Sequence, residues 1–222
     1  PMRLTTLGRK EQQDKLDDFS DAAADKELAW MRESVAEMKA KFDPEKLDEE
    51  SKTSFDMWAL SLDQSEKADK FRRHGYVFIR DSIPTYLPNF MINFHEVAEK
   101  ADMEAYVARL KAFGPAIDQV VEQSKMAAAE GIRPPLFSFG QVIGEARNVI
   151  TGAPFSAGAD SPLLVDVKAK KKQLLDEGKI TADEAKAFET QASEAMTGVI
   201  KPVYERVIAW LETDKANASP QS

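Results

Sequence analysis

The chain has 222 residues, of which 43% are hydrophobic and 31% charged, and it carries a net charge of −8. This is enough for a folded domain with a substantial core, while the negative charge argues against a nucleic-acid partner, because phosphate contacts need a basic surface. The absence of cysteine excludes disulfides and thiolate metal sites, and no apolar run approaches the ~20 residues that span a bilayer.

The N-terminal sequence Pro1-Met2-Arg3 lacks the apolar core of a signal peptide. It fits an excised N-terminus and equally the loss of an initiator methionine before Pro1. The composition is compatible with a cytoplasm and with a periplasm.

Apolar residues spaced three and four apart predict two amphipathic helices in the first third of the chain. Ser20 is the predicted N-cap of the first, Asp43-Pro44 closes it, and Asp48 begins the second. The buried stripe of the first helix is Leu28, Met31, Val35, Met38 and Phe42, and that of the second is Phe55, Trp58 and Leu62.

Residues 76–79 form the single segment with strand character, a short aromatic and β-branched run after Gly75. An irregular passage containing Pro84 and Pro88 follows. The spacing of Phe90, Met91, Phe94 and Val97 then predicts another helix.

The centre of the chain predicts three helices separated by glycine and proline. The first is expected to stop at Gly114, the second to run from Pro115 to Gly131, and the third to begin at Gln141. Pro134-Pro135 should form an extended crossover, because proline excludes α geometry at the preceding residue. We expect Ile132, Leu136 and Phe137 to anchor this crossover in the core.

The last third begins with a predicted loop over residues 151–161, where a subdivision of the chain could fall. Ser161 caps a basic helix that ends at Gly178, and Thr181 with Glu184 forms a capping box. A final helical region reaches about Asn217 with an interruption at Gly198 and Pro202. Altogether the sequence predicts an all-α, mostly α fold, a multi-helix array of roughly eight to ten helices with at most one short strand near 76–79.

The two histidines, His74 and His95, are the candidate metal ligands. His95-Glu96 begins like the zinc-protease pattern of two histidines four residues apart, but Glu99 stands where the second histidine belongs. We therefore expect a surface or capping histidine rather than a site formed by His95, Glu99 and His74. No catalytic, cofactor-binding or metal-binding residue is assigned.

Aromatic residues gather near prolines in the second quarter of the chain, where Tyr86, Phe90, Phe94 and His95 are candidates to line an apolar or peptide-binding groove. The alternative is that they form core. A basic run of Lys168, Lys170, Lys171 and Lys172 has two interpretations, the solvated face of a helix or a weak phosphate or membrane contact.

Several loose motifs, spread over essentially the whole chain, together resemble a bacterial family catalogued as domain of unknown function 885. They include Phe71-Arg72-Arg73-His74-Gly75, Leu87-Pro88-Asn89-Phe90, the helix from Asp102 to Leu110, and Gly131-Ile132-Arg133-Pro134-Pro135. The C-terminal part of the resemblance is carried by Pro202-Val203-Tyr204 and Trp210-Leu211-Glu212.

This resemblance implies a helical region, residues 1–222, at the N-terminal side of a longer protein. Family members are grouped with zinc metallopeptidases, so it implies zinc in the full-length protein, a C-terminal catalytic half as partner, and a peptide substrate. The chain itself would be a non-catalytic part of a substrate-channel wall, and the location would be the periplasm or cell envelope, with the cytoplasm as alternative. The competing hypothesis is a self-sufficient helical binding or scaffold module without enzymatic activity.

Overall fold

A computed structural model describes residues 1–218 of the chain and is 73% helical, which confirms the predicted all-α array. Within those residues no β-strand forms. The α-helices are α1 (Met2–Thr6), α2 (Asp21–Lys41), α3 (Glu49–Asp69), α4 (Ile83–Asn93), α5 (Lys100–Ala129), α6 (Leu136–Val149), α7 (Pro162–Asp176), α8 (Ala182–Ala195) and α9 (Lys201–Asp214).

The chain divides into two compact units. The hairpin unit is Phe19–Gly75, and the main unit is Pro1–Asp18 with Tyr76–Ser222. The expected subdivision segment, residues 151–161, lies inside the main unit as a loop between α6 and α7.

The hairpin unit is a pair of 21-residue helices, α2 and α3, joined through a short 3₁₀ turn. Both predicted caps are confirmed: the Ser20 side chain accepts from the Ala23 N–H and the Asp48 side chain from the Ser51 N–H. These bonds satisfy donors that a helix start leaves unpaired. The apolar stripes of the two helices face each other, with Leu28, Val35 and Phe55 buried.

The main unit is organised around α5, a 30-residue helix whose buried side chains include Met103, Tyr106 and Leu110. The predicted break at Gly114 was wrong, because the helix continues through Gly114 and Pro115. Gly114 serves close packing instead: a Cβ built there would lie 2.9 Å from Cγ1 of Val199. Burial on both sides of the proline outweighs the one backbone hydrogen bond that proline removes.

Helix α6 begins at Leu136, five residues earlier than predicted. Pro135, with φ −56° and ψ 149°, stands at its N-cap position. The expected anchoring by Phe137 was wrong, since this side chain is 68% exposed. Phe139 faces the core, and a residue two positions away on a helix points to nearly the opposite side.

The short strand allowed for near residues 76–79 does not form, and residues 77–79 are bends. A lone strand has no neighbour within the described chain to complete its backbone hydrogen bonds. Phe78 still enters the core and is 1% exposed, whereas Tyr76 and Ile79 are 49 and 41% exposed.

The C-terminal helices pack around α5. The capping serine of α7, Ser161, and the Thr181–Glu184 capping box of α8 are confirmed. The predicted interruption near Gly198 takes the form of a π-helical turn, Met196–Ile200, that links α8 directly to α9.

Candidate functional site

The four side chains proposed as groove lining lie together at the end of α4, but two of them belong to the core. Phe90 and His95 are buried, whereas Tyr86 is half-buried and Phe94 is 44% exposed. The ring centroids of Tyr86 and Phe90, and of Phe90 and Phe94, are each 6.0 Å apart. Tyr86, Phe90 and Phe94 thus form a row of rings, the aromatic wedge, and the exposed ring of Phe94 borders a cleft.

His95 was expected to be a surface or capping histidine. It is instead buried, with 1% exposure. Its Nδ1 lies 2.9 Å from Nη1 of Arg109 and its Nε2 lies 3.0 Å from the carbonyl oxygen of Asp102. Arginine only donates and a carbonyl only accepts. His95 must consequently be the neutral tautomer with its proton on Nε2.

Electrostatics favour the same neutral state. Burial lowers the pKa of His95 to about 4, and the positive charges of Arg109 and Lys170 act in the same direction against the bond to the Asp102 carbonyl. The imidazole is therefore uncharged near neutral pH, and both of its nitrogens are engaged by groups of the chain itself.

Arg109 fastens the N-terminal segment, residues 1–18, onto α5. Its Nε donates to the Lys15 carbonyl oxygen at 2.9 Å and its Nη2 to Oγ1 of Thr5 at 2.8 Å, while its guanidinium lies 5.1 Å from the centre of the Phe90 ring. The side chain is fully buried, and burial lowers the pKa of Arg109 to about 10 despite the opposing charges of Asp17 and Asp14.

A second attachment of the N-terminal segment is the ion pair between Lys10 and Asp102, with Nζ 2.7 and 2.8 Å from the two carboxylate oxygens. Asp102 also accepts the N–H groups of Ala98 and Glu99 and so caps α5. Although burial opposes ionisation, the Lys10 bond and these two N–H groups keep the pKa of Asp102 below its usual value. Gln13 adds a bond to the Glu96 carbonyl oxygen at 3.1 Å.

The polar cluster continues on the other side of His95 through Tyr106, whose ring meets the imidazole edge-on at 5.1 Å. The Tyr106 hydroxyl donates to Asp166 at 2.8 Å, and Lys170 donates to the same carboxylate at 2.6 Å and to the Met91 carbonyl oxygen at 2.9 Å. Burial and the neighbouring Asp166 raise the pKa of Tyr106 well above its usual value, and burial lowers the pKa of Lys170.

The four lysines of the basic run on α7 have different surroundings. Lys170 points inward, whereas Lys168 pairs with Asp160 at 2.7 Å and Lys171 with Glu189. Lys172 is an exposed residue that pairs with Asp176 on its own helix. Each of the four cations thus has a carboxylate partner, an arrangement that agrees with a helix face more than with an anion site.

The roles of Arg109 and Asp102 were not predicted from the sequence, although it contains a signal for each. Arg109 lies inside the apolar stripe of α5, three residues after Tyr106 and next to Leu110, where an unpaired arginine would be too costly to bury. Asp102 stands three residues after Glu99 at the start of that helix, which is the spacing of a capping box.

Two pockets flank this cluster in the main unit. A polar cleft of about 300 Å³ lies between the N-terminal segment and the end of α4, lined by Thr6, Arg9, Lys10, Asn93, Phe94 and Glu96. An apolar pocket of about 250 Å³ lies where α4, α6 and α7 meet, lined by Thr85, Pro88, Ile92, Glu145, Val149 and Leu163.

The candidate ligands for a metal are not brought together. Over residues 1–218 no three His, Cys, Asp or Glu side chains form a group that could hold an ion. His74 lies in the hairpin unit, while His95 and Glu99 lie in the main unit. None of the described helices is both long and apolar enough to cross a membrane.

A model of bacterial proteins of unknown function, DUF885, matches residues 1–222. The chain belongs to the DUF885 family. Among curated proteins, none matches the chain.

A solved structure with the same fold is described as "the putative lipoprotein from Colwellia psychrerythraea". It superposes with a TM-score of 0.82 at 14% sequence identity, over 98% of this DUF885 chain. The chain spans 38% of that protein's length. At this identity the likeness establishes the fold.

Proposed function

We propose that this DUF885 chain is the non-catalytic helical region of a larger, peptidase-like protein and forms part of the wall of its substrate channel. The observation that carries the proposal is the exposed apolar surface of the hairpin unit. Trp30, Met57 and Leu60 are 56, 64 and 54% exposed. The last two stand three residues apart on α3 and so project from the same side.

Such a surface is unfavourable in contact with water, because each buried CH₂ group contributes about 0.8 kcal/mol. Contiguous apolar surface on a soluble domain usually marks a site of association. The coverage of only 38% of the Colwellia psychrerythraea protein supports a further region as the partner of this surface.

The remaining parts of the proposal concern the larger protein. Zinc and the groups that activate water belong to its C-terminal catalytic half, the substrate is a peptide, and the location is the periplasm or cell envelope. The printed description of the Colwellia psychrerythraea protein as a putative lipoprotein supports that location; cytoplasmic residence is the alternative.

A self-sufficient binding or scaffold module is the second candidate, and the main unit favours it. That unit has its own core, in which Tyr106, Phe113 and Tyr204 are fully buried. Its buried polar cluster is bonded internally. These properties allow independent folding, which a wall of a larger protein does not require.

The deciding experiment compares residues 1–222 with the product of the complete parent reading frame. After dialysis the short chain should hold far less than one zinc per molecule and cleave no fluorogenic peptide, while the longer product should hold one zinc and cleave it. A parent product that ends with this chain, or that holds no zinc, would contradict the peptidase proposal and favour the module.

The hairpin surface is tested separately in the longer product. Trp30→Ser with Met57→Ser should raise KM for a long peptide or weaken association of the halves when these are produced separately. Glu33→Ser with Lys52→Ser on the same two helices is the matched control, since it alters polar side chains of α2 and α3. If the two double variants have equal KM values and their halves associate equally well, the hairpin surface is not part of the proposed wall.

A further inference from the structure

The apolar pocket between α4, α6 and α7 contains a carboxylate that has no cation partner in the part of the chain that the structure describes. Glu145 accepts a bond from Oγ1 of Thr85 at 3.0 Å and one from Nε2 of Gln141 at 3.2 Å. Both donors are neutral. Within residues 1–218 no Lys, Arg or His nitrogen forms an ion pair with this carboxylate.

Two other carboxylates of the main unit are paired with cations, although Glu96 in the polar cleft, like Glu145, has no ion pair within the described chain. Asp102 beside the polar cleft is neutralised by Lys10, and Asp166 behind the aromatic wedge is neutralised by Lys170. The two bonds from Thr85 and Gln141 fix the orientation of the Glu145 carboxylate without compensating its charge.

Apart from Thr85, Asn89 and Asn148, the rest of the pocket lining is apolar. Pro88 and Leu163 are buried at its base, and Ile92 and Val149 are half-buried along its sides. Its described lining contains no Lys, Arg or His. A volume of about 250 Å³ suits a ligand of side-chain size rather than a large cofactor.

Two further features favour a cation at the mouth. Glu145 lies in the last turns of α6, where the helix dipole places partial negative charge. The exposed amides of Asn89 and Asn148 stand at the rim, and their carbonyl oxygens are free to accept, since neither side-chain amide is hydrogen-bonded within the described chain.

We propose that this pocket binds a primary alkylammonium ion, with the ammonium group on Glu145 and the alkyl chain between Ile92, Val149 and Leu163. An ammonium group has three donors, which suit the carboxylate and the rim amides together. The ligand can be a free amine or a lysine side chain of a peptide, because both present the same group on a similar chain. This site is independent of the wall proposed above.

Calorimetric titration of the 222-residue chain with ethyl-, butyl- and hexylammonium chloride tests the contributions of the Glu145 carboxylate and of the apolar lining. Affinity should rise about fourfold for each methylene that enters the pocket. Hexanoate should not bind, and hexanol should bind more weakly than hexylammonium. Equal affinity for the three amines, or equal binding of hexanoate, would overturn the proposal.

Two variants locate the site. Glu145→Gln should weaken hexylammonium binding by about tenfold and leave hexanol binding unchanged, because it removes the charge and keeps the shape. Asn148→Trp should close the mouth and abolish binding of both. Glu194→Gln, an exposed glutamate on α8, gives the same change in net charge and should alter neither affinity.

The source of the ammonium group is decided by a last titration, with N-acetyl-lysine N-methylamide as the probe. Affinity equal to that of butylammonium assigns the pocket to lysine side chains of peptides, and much weaker binding assigns it to free amines. If Glu145→Gln changes none of these affinities while its circular dichroism matches that of the unaltered chain, the pocket is not an ammonium site.

Discussion

The hairpin unit and the main unit bury their apolar residues in different ways. In the hairpin unit Leu28, Val35 and Phe55 are buried between two helices, and Trp30, Met57 and Leu60 stay exposed. In the main unit several helices surround α5, so that even the charged side chain of Arg109 is fully buried. Two helices can cover only one face of each other, whereas a central helix can be covered on every side.

Polar groups contribute to stability according to the core around them. Around His95 in the main unit they are buried and must be hydrogen-bonded, so removing a partner there carries a large penalty. In the hairpin unit several ion pairs, such as that of Arg32 with Glu66, are exposed and contribute little, whereas the pair of Arg73 with Asp21 is partly buried.

The largest effect on the free energy of unfolding is expected from replacing Arg109. Arg109→Met keeps most of the buried volume but leaves Nδ1 of His95, Oγ1 of Thr5 and the Lys15 carbonyl without this donor. We expect a loss of about 3–5 kcal/mol in the free energy of unfolding. Denaturant unfolding measures it. Arg32→Met, which breaks the exposed pair with Glu66 in the hairpin unit, is the control and should cost less than about 1 kcal/mol; similar losses would refute the distinction.

The second test uses the protonation of His95. Its folded pKa of about 4 lies below the ordinary value of 6.5, so the unfolded chain binds the proton more tightly. The associated stability is complete above about pH 6.5 and is lost as the pH falls towards 4, by about 3 kcal/mol.

Unfolding free energies measured between pH 7 and pH 4 should therefore fall less steeply in His95→Gln than in the unaltered chain. The exposed histidine gives the control, and His74→Gln should keep the original slope. A His95→Gln slope that matches the unaltered chain would mean that His95 is not buried as a neutral group.

A smaller effect is expected in the hairpin unit from Ser34, whose hydroxyl accepts the indole N–H of Trp58 at 3.1 Å. Ser34→Ala should cost about 1 kcal/mol and speed amide hydrogen exchange in α2 and α3. Ser61→Ala, which removes an exposed hydroxyl bonded to its own helix, should leave exchange unchanged. Faster exchange in α5 of the Ser34→Ala chain would show that the two units do not open separately.

The smallest test compares two glycines in helices of the main unit. A Cβ at Gly140 meets nothing within 4 Å, so Gly140→Ala should stabilise the chain by about 0.5–1 kcal/mol through helix propensity. At Gly114 the same gain is offset by the 2.9 Å approach to Val199. Thermal unfolding should rank Gly140→Ala above Gly114→Ala; the reverse order would mean that α5 and the π-turn pack less closely.

Local signals predicted most of the helix architecture. Ser20, Asp48, Ser161 and Thr181 cap helices as expected, because a capping side chain acts on N–H groups only two or three residues away. The apolar period identified Leu28 and Val35 as buried residues of α2, but Phe42, predicted in the same stripe, follows the end of the helix and is 54% exposed.

Errors occurred where distant residues decide the outcome. Gly114 resembles a helix stop until Val199 is placed beside it, and His95 resembles a surface residue until Arg109 and Asp102 surround it. For the candidate site, the sequence identified the aromatic neighbourhood but not the pocket at Glu145, whose lining comes from helices separated by a long loop.

The π-turn at Met196–Ile200 explains a mismatch of phase along the C-terminal sequence. The buried residues Phe188 and Ala192 of α8, and Val203 and Val207 of α9, would point in directions about 60° apart on one continuous α-helix. The wider turn accommodates one additional residue and brings the two directions to within about 40° of each other. In evolutionary terms the segment has the form of a tolerated single-residue insertion, so a homologue that lacks one residue here could keep the same core with an uninterrupted α-helix.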